Sequence, residues 1–253
     1  MNVDLLCTIR HDSCFLKEYQ RLTLFSSELP AVEVMIPINL RAQCGEVFDY
    51  QTLLTVLTLY ASPRDKISDL LRKKIIIRVK KGLYVFAQDE HSQPYRFETL
   101  ANLIYGPSYI SLDYALQIHG LIPERVETVT SVTIGQSKYF TTPVGNFSYR
   151  RIRLEAYAMG IDLIENSDGN SFLLATPEKA LVDKLQSDRG FAIRSLTALE
   201  QYLTESLRIE MSDVLQMGAG QIQRYATGYR SKKVAILARL IQCQQNKAGK
   251  LLT

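Results

Sequence analysis

Ser62-Pro63-Arg64-Asp65-Lys66-Ile67-Ser68-Asp69-Leu70-Leu71-Arg72-Lys73-Lys74-Ile75-Ile76-Ile77-Arg78-Val79-Lys80-Lys81-Gly82-Leu83-Tyr84-Val85-Phe86 is the most legible stretch of this 253-residue chain. Ser62 fits a helix N-cap, Pro63 the first helical position, and Asp65 completes a Ser-x-x-Asp box. Ile67, Leu70 and Leu71 recur at i, i+3 and i+4, which predicts a buried stripe. At about 100° per residue, Asp65, Asp69, Arg72 and Lys73 point the other way, with Lys66 and Ser68 on the flanks. Ile75-Ile76-Ile77-Arg78-Val79 is β-branched and predicts a strand. Lys80-Lys81-Gly82 then makes a basic turn, and Leu83-Tyr84-Val85-Phe86 the returning strand of a hairpin.

Working upstream, Asp49 is placed to cap a helix that carries Leu53, Leu54, Val56, Leu57 and Tyr60, and Ala61-Ser62-Pro63 ends it. Helix, tight turn, polar-faced helix and basic hairpin follow the order of a winged helix-turn-helix. Such a unit lays a helix in the major groove and its hairpin over the backbone. The candidate DNA contacts are Arg64, Lys66, Ser68, Arg72, Lys73, Lys74, Arg78, Lys80 and Lys81. Basic residues at a hairpin tip suit phosphates, Arg72 suits a guanine, and Ser68 could reach a base or a phosphate. Asp65 and Asp69 cut against this. They could accept from cytosine, pair with Arg72 and Lys73, or mark a face that avoids DNA. One clear helix precedes the proposed recognition helix, where three-helix versions have two.

Charge is polarised along the chain. Arg64 to Lys81 holds eight basic residues against two acids. Gly218 to Thr253 holds seven basic residues and no acid, among them Arg224, Arg230, Lys232, Lys233 and Arg239. The total is only +4, so the rest of the chain carries −9. Two basic segments on an acidic body point to an anionic partner, with nucleic acid leading and solvated surface charge as the plain alternative. In the second segment Val234, Leu237, Ala238 and Ile241 form a helical stripe that leaves Lys232, Lys233 and Arg239 outside. That helix could be a second DNA contact, a protein-facing surface or solvated charge.

Composition sets the class. With 46% hydrophobic and 22% charged residues, a sizeable core can form and a disordered polymer is excluded. No apolar run approaches the roughly 20 residues of a bilayer helix, and Met1-Asn2-Val3-Asp4 does not open like a secretory signal. Four cysteines do not make a disulfide framework, so a cytoplasmic protein without membrane partners is expected. The expected organisation has three parts: an N-terminal extension over 1–45, the winged unit over 46–90, and a C-terminal domain over 94–253. The polar run Gln88 to Pro94 is the linker between the last two. The expected fold class is α+β, with the winged unit followed by a larger mixed α/β domain.

Beyond the linker, Gly106-Pro107-Ser108-Tyr109-Ile110-Ser111-Leu112-Asp113-Tyr114-Ala115-Leu116-Gln117-Ile118-His119-Gly120-Leu121-Ile122-Pro123-Glu124 resembles the signature of AbiEi-type antitoxins. Thr130-Ser131-Val132-Thr133 and Ala175-Thr176-Pro177-Glu178-Lys179-Ala180-Leu181-Val182-Asp183-Lys184-Leu185 agree in order and spacing, and Lys81-Gly82-Leu83-Tyr84-Val85 is similar to that family's wing. The likeness spans roughly residues 50 to 190. It implies the antitoxin of a type IV toxin–antitoxin (abortive infection, phage defence) system. Its winged helix domain would bind inverted repeats in the promoter as an autorepressor. Its C-terminal domain would counteract a nucleotidyltransferase toxin, often without a stable complex, and the chain could be a monomer off DNA. Residues 1–48 depart from the family pattern, and Met35 is an alternative start. The same motifs read physically as scaffold: a Gly106-Pro107 turn, Ser111 and Gly120 at the ends of a helix, and Thr176-Pro177 opening an amphipathic helix with Leu181 and Leu185.

Catalytic and cofactor motifs do not emerge. Cys7, His11 and Cys14 share a helical face and would need a fourth ligand, such as Cys44, to hold zinc; buried thiols are the simpler reading. Gly218-Ala219-Gly220 begins like a dinucleotide loop, but Gln223 stands where the third glycine belongs. His11, His91 and His119 lie far apart, and no Gly-Ser followed by an Asp-x-Asp pair is present for nucleotidyl transfer. No catalytic residue, metal site or cofactor is therefore assigned. The competing functions are an enzyme that modifies the toxin or its RNA substrate, a stand-alone transcriptional regulator, and a protein-interaction module.

Overall fold

The computed structural model describes residues 40–87, 95–165 and 171–251. The chain divides into Met1–Gln43, of which 40–43 are helical, and a second unit, Cys44–Thr253. The expected extension over 1–45, with Cys7, His11 and Cys14, falls almost wholly outside the described residues, as does the linker over 88–94.

Within the second unit, β1 (Val47–Asp49) leads into α1 (Tyr50–Val56), α2 (Pro63–Arg72), β2 (Ile76–Lys80) and β3 (Leu83–Phe86). Asp49 caps α1 as its sequence suggests, its side chain accepting from the Thr52 amide at 2.7 Å. Ser62 behaves differently. Its hydroxyl donates to the Asp65 carboxylate at 2.5 Å, so the two side chains satisfy each other and no side-chain bond reaches the helix backbone. The strand β1 is additional to the sequence reading, and its pairing defines the topology. It lies antiparallel to β3 in a sheet of order β1-β3-β2, with Phe48 opposite Tyr84 and Ile77 opposite Val85. This is a winged helix-turn-helix with a two-residue wing turn, Lys81-Gly82, in which Gly82 takes φ +86°.

All four residues of β3 are buried, and strand alternation sends them to two different cores. Tyr84 stacks on Phe48 and Phe86 meets it at a tilt on the side of the winged unit, where Leu53, Leu57, Ile67, Leu70 and Ile76 are also buried. Leu83 and Val85, with Val79 from β2, join the main core alongside Tyr95, Leu100 and Ile104. The wing sheet is thus covered on both faces, and the following segment continues from it without a break in packing.

That segment comprises α3 (Phe97–Ile104), β4 (Ser108–Ile110), α4 (Leu112–Ile118), β5 (Val129–Thr133), β6 (Lys138–Thr142), β7 (Gly145–Arg151), α5 (Leu154–Tyr157), β8 (Ile161–Glu165), β9 (Ser171–Ala175) and α6 (Pro177–Ser187). There follow α7 (Leu196–Gln201), a π-helical turn (Tyr202–Ser206), α8 (Met211–Gln216), α9 (Ala219–Tyr229) and α10 (Lys232–Leu251). The six strands form one mixed sheet of order β6-β7-β5-β4-β9-β8, with β5–β7 and β4–β9 parallel. The α3 helix rests on β4, β5 and β9, and the Tyr149 hydroxyl donates to the Ala101 carbonyl at 2.6 Å to hold it there. Away from the sheet, α4 packs on α6, α6 on α9, and α9 on α10. The whole is α+β, a winged unit followed by a larger mixed domain.

The helix ends obey their residues. Gly120 ends α4 with φ +69°, and Thr176 caps α6 by accepting from the Lys179 amide at 3.3 Å, with Pro177 in the first turn. Among the described residues no helix is long and apolar enough to cross a membrane.

Candidate functional site

On the winged unit, α2 presents Arg64, Ser68 and Arg72 at its surface, and Lys73, Lys74, Arg78 and Lys81 are exposed in the segments that follow. Lys66 is half-buried, its ammonium 5.1 Å from the centroid of the Tyr60 ring. Ser68 turns its hydroxyl back to the Arg64 carbonyl at 3.1 Å. Asp69 takes the pairing role among the three open to it: it forms an ion pair with Arg72 and lies 3.7 Å from the Lys73 ammonium. The Arg72 hydrogen bond and the Lys73 charge hold the Asp69 carboxyl below its usual range.

Two of the basic residues depart from a free, tip-mounted position. Lys80 does not extend from the wing. Its ammonium donates to the carbonyls of Leu103 at 3.0 Å and Ile104 at 2.6 Å, the last turn of α3, and burial lowers its pKa. A cation at the negative end of a helix satisfies orphan carbonyls, so Lys80 fastens the wing to the following domain. Lys74 sits just past the end of α2 with φ +55°, where the Lys74 and Ile75 amides bond back to the Leu71 and Leu70 carbonyls. This is a Schellman ending with lysine at the position that usually holds glycine.

The second basic segment forms the α9–α10 hairpin. Val234, Leu237, Ala238 and Ile241 are buried as the periodicity requires, and Arg224, Arg230, Lys232 and Arg239 are exposed. Lys233 turns inward and donates to the Asp188 carbonyl at 2.8 Å, at the end of α6.

The motif segments meet in the interior. Asp183 and Lys179, one turn apart on α6, are fully buried and 3.0 Å apart. On one carboxylate oxygen Asp183 accepts from Tyr109 at 2.8 Å and from Ser111 at 2.7 Å; on the other it accepts from Lys179 and Tyr229. Lys179 completes its three donors with the Ala156 carbonyl at 2.8 Å and the Tyr229 hydroxyl at 2.6 Å. Burial lowers the Lys179 pKa, while the Asp183 carboxylate raises it. Burial and the Asp183 charge push Tyr109 and Tyr229 well above the usual tyrosine range. Ser111, expected to cap α4, spends its hydroxyl on Asp183 instead, and Leu112 enters the helix with φ +61°. A buried, charge-balanced cluster in which the ammonium uses all three donors and each carboxylate oxygen accepts two bonds is suited to holding β4, α5, α6 and α9 together. Tyr229 and Ala156 come from segments without a motif. The one trace of Tyr229 in the sequence is its place in the apolar stripe Ile222, Tyr225, Ala226 of α9.

Among the described residues no cluster of His, Cys, Asp or Glu is arranged to hold a metal ion. Cys44 is half-buried, its thiol pKa raised by burial. The fold has a solved counterpart. The chain is similar to the crystal structure of the RV2827C protein from Mycobacterium tuberculosis, with a TM-score of 0.56 and 14% identity over 85% of this chain and 78% of that one. No family model and no curated protein matches the chain.

Proposed function

We propose that this chain is a DNA-binding antitoxin of the AbiEi type, acting in the cytoplasm, that represses its own promoter and counteracts a nucleotidyltransferase toxin. The observation that carries the DNA-binding part is the surface of the winged unit. The exposed face of α2, the two residues after it, β2 and the wing turn together present Arg64, Arg72, Lys73, Lys74, Arg78 and Lys81. Point charges distributed over helix and wing favour phosphates on either side of a major groove. The antitoxin part rests on the sequence resemblance. It is supported by the way Tyr109 and Ser111 of one motif bond Asp183 of another, as residues kept together for one structural task would.

The test is a mobility-shift titration of the purified protein against DNA from upstream of its own gene and against unrelated DNA of equal length, at fixed salt. Preferential retardation of the upstream fragment is expected, with two copies per inverted repeat. Equal affinity for both fragments removes the autorepressor. In parallel, the chain is co-expressed with the nucleotidyltransferase toxin that this reading expects to be encoded beside it. Growth arrest that the chain does not relieve removes the antitoxin.

A further inference from the structure

A cleft of about 990 Å³ opens beside the end of β7, between the Arg151–Glu155 segment and the end of α6. Arg150, Arg151 and Arg153, around the end of β7, line it together with Arg189, just past the end of α6. Among the described residues, Arg150, Arg151 and Arg189 have no carboxylate within ion-pair distance; only Arg153 has one, Glu155 at 3.7 Å. Guanidiniums stay charged at any physiological pH, so four of them lining one cleft, with Glu155 the one acidic residue in that lining, leave an excess of positive charge that an anion would balance. Their fork geometry matches phosphate oxygens in pairs. The cleft is far larger than one phosphate needs. Ile152 and Ile134 line it, and Leu154 projects into it 68% exposed, an apolar surface for a flat ring. Arginines and apolar side chains lining one cleft fit a ligand with a polyphosphate at one end and a planar group at the other.

We infer that this cleft binds a nucleoside polyphosphate, its phosphates on Arg150, Arg151 and Arg189 and its base against Leu154. The site is separate from the winged unit and does not depend on DNA binding.

Calorimetric titration of the full chain with each of the four nucleoside triphosphates, at moderate salt, tests the assignment. At least one should bind, more tightly than inorganic tripolyphosphate or its unphosphorylated nucleoside. Arg150→Glu/Arg151→Glu should weaken it by about tenfold or more, and so, independently of that double variant, should Arg189→Gln. Arg224→Glu, on the α9–α10 hairpin, should leave it unchanged. All these side chains are exposed, so circular dichroism should match the parent. The inference is overturned by absence of binding to the parent chain, by undiminished binding to both cleft variants, or by inorganic tripolyphosphate binding as tightly as every nucleotide.

Discussion

Lys179 and Asp183 face each other one turn apart on α6, Nζ 3.0 Å from Oδ1, with neither side chain exposed to solvent. Desolvating two ions costs several kcal/mol each, and only near-complete hydrogen bonding repays it. Here the ammonium has three acceptors and the carboxylate four donors, drawn from β4, α5, α6 and α9. Such a pair is a poor source of net stability and a strict condition on register. The four elements must arrive in one arrangement, or a charge is left bare in the core.

Removing one partner should therefore be far worse than removing both. Asp183→Leu and Lys179→Met are each expected to lower unfolding free energy by about 3–5 kcal/mol, and the double variant by much less than their sum. Urea denaturation of the four proteins gives the cycle. Additive losses would mean that the two charges do not interact.

Alkaline pH should act through the same network. Tyr109, Tyr114, Tyr149, Tyr202 and Tyr229 all have folded pKa values raised by burial above the ordinary value of 10.0. Above pH 10 the unfolded chain releases these protons and the folded one keeps them. Their contribution is thus complete below pH 10 and declines as pH rises toward the folded values. Lys179 and Lys80 work in the opposite sense: with folded values below 10.5, they add stability as pH rises from those values to 10.5, and two lysines against five tyrosines do not reverse the trend. Tyrosinate absorbance and loss of circular dichroism should appear together above pH 10. Full tyrosine ionisation in a still-folded protein would contradict the burial.

How much of this could be seen in the sequence depended on the distance between partners. The winged unit was legible because α2 sets its stripe every three or four residues and β2 and β3 meet across two residues. The strand β1 escaped because three residues carry no period and their partner lies more than thirty positions on. Lys179 and Asp183 resemble surface charges on an amphipathic helix. Tyr109 and Ser111, which give them a reason to be inside, stand 74 and 72 residues from Asp183. Arg150, Arg151 and Arg153 carry no recognisable motif, and Arg189, which lines the same cleft, lies more than thirty positions further along the chain.

Lys80 shows the same limit and separates two adjacent lysines. Lys80→Glu should leave the salt slope of DNA binding unchanged and cost about 1–2 kcal/mol of stability, since it removes the cation from the end of α3 and places a carboxylate against two carbonyls. Lys81→Glu should leave stability alone, weaken promoter binding and reduce the slope of log K against log salt by about one unit. Mobility shifts at several salt concentrations and thermal melts distinguish the two. An equal loss of slope in both variants would return Lys80 to the DNA contact set.

Lys74 offers the sharpest separation of fold from function. A lysine at φ +55° occupies a backbone region that costs a side-chain-bearing residue about 1 kcal/mol relative to glycine. Its amide and that of Ile75 already close the end of α2, so glycine keeps both bonds. Lys74→Gly should accordingly raise stability by up to about 1 kcal/mol and, on the proposed function, weaken promoter DNA binding through the loss of a cation beside α2. Denaturation midpoints and mobility shifts on the same preparation measure both. A stabilised variant with undiminished affinity would take Lys74 out of the DNA surface. A destabilised one would show that the lysine side chain makes a contact worth more than the backbone relief.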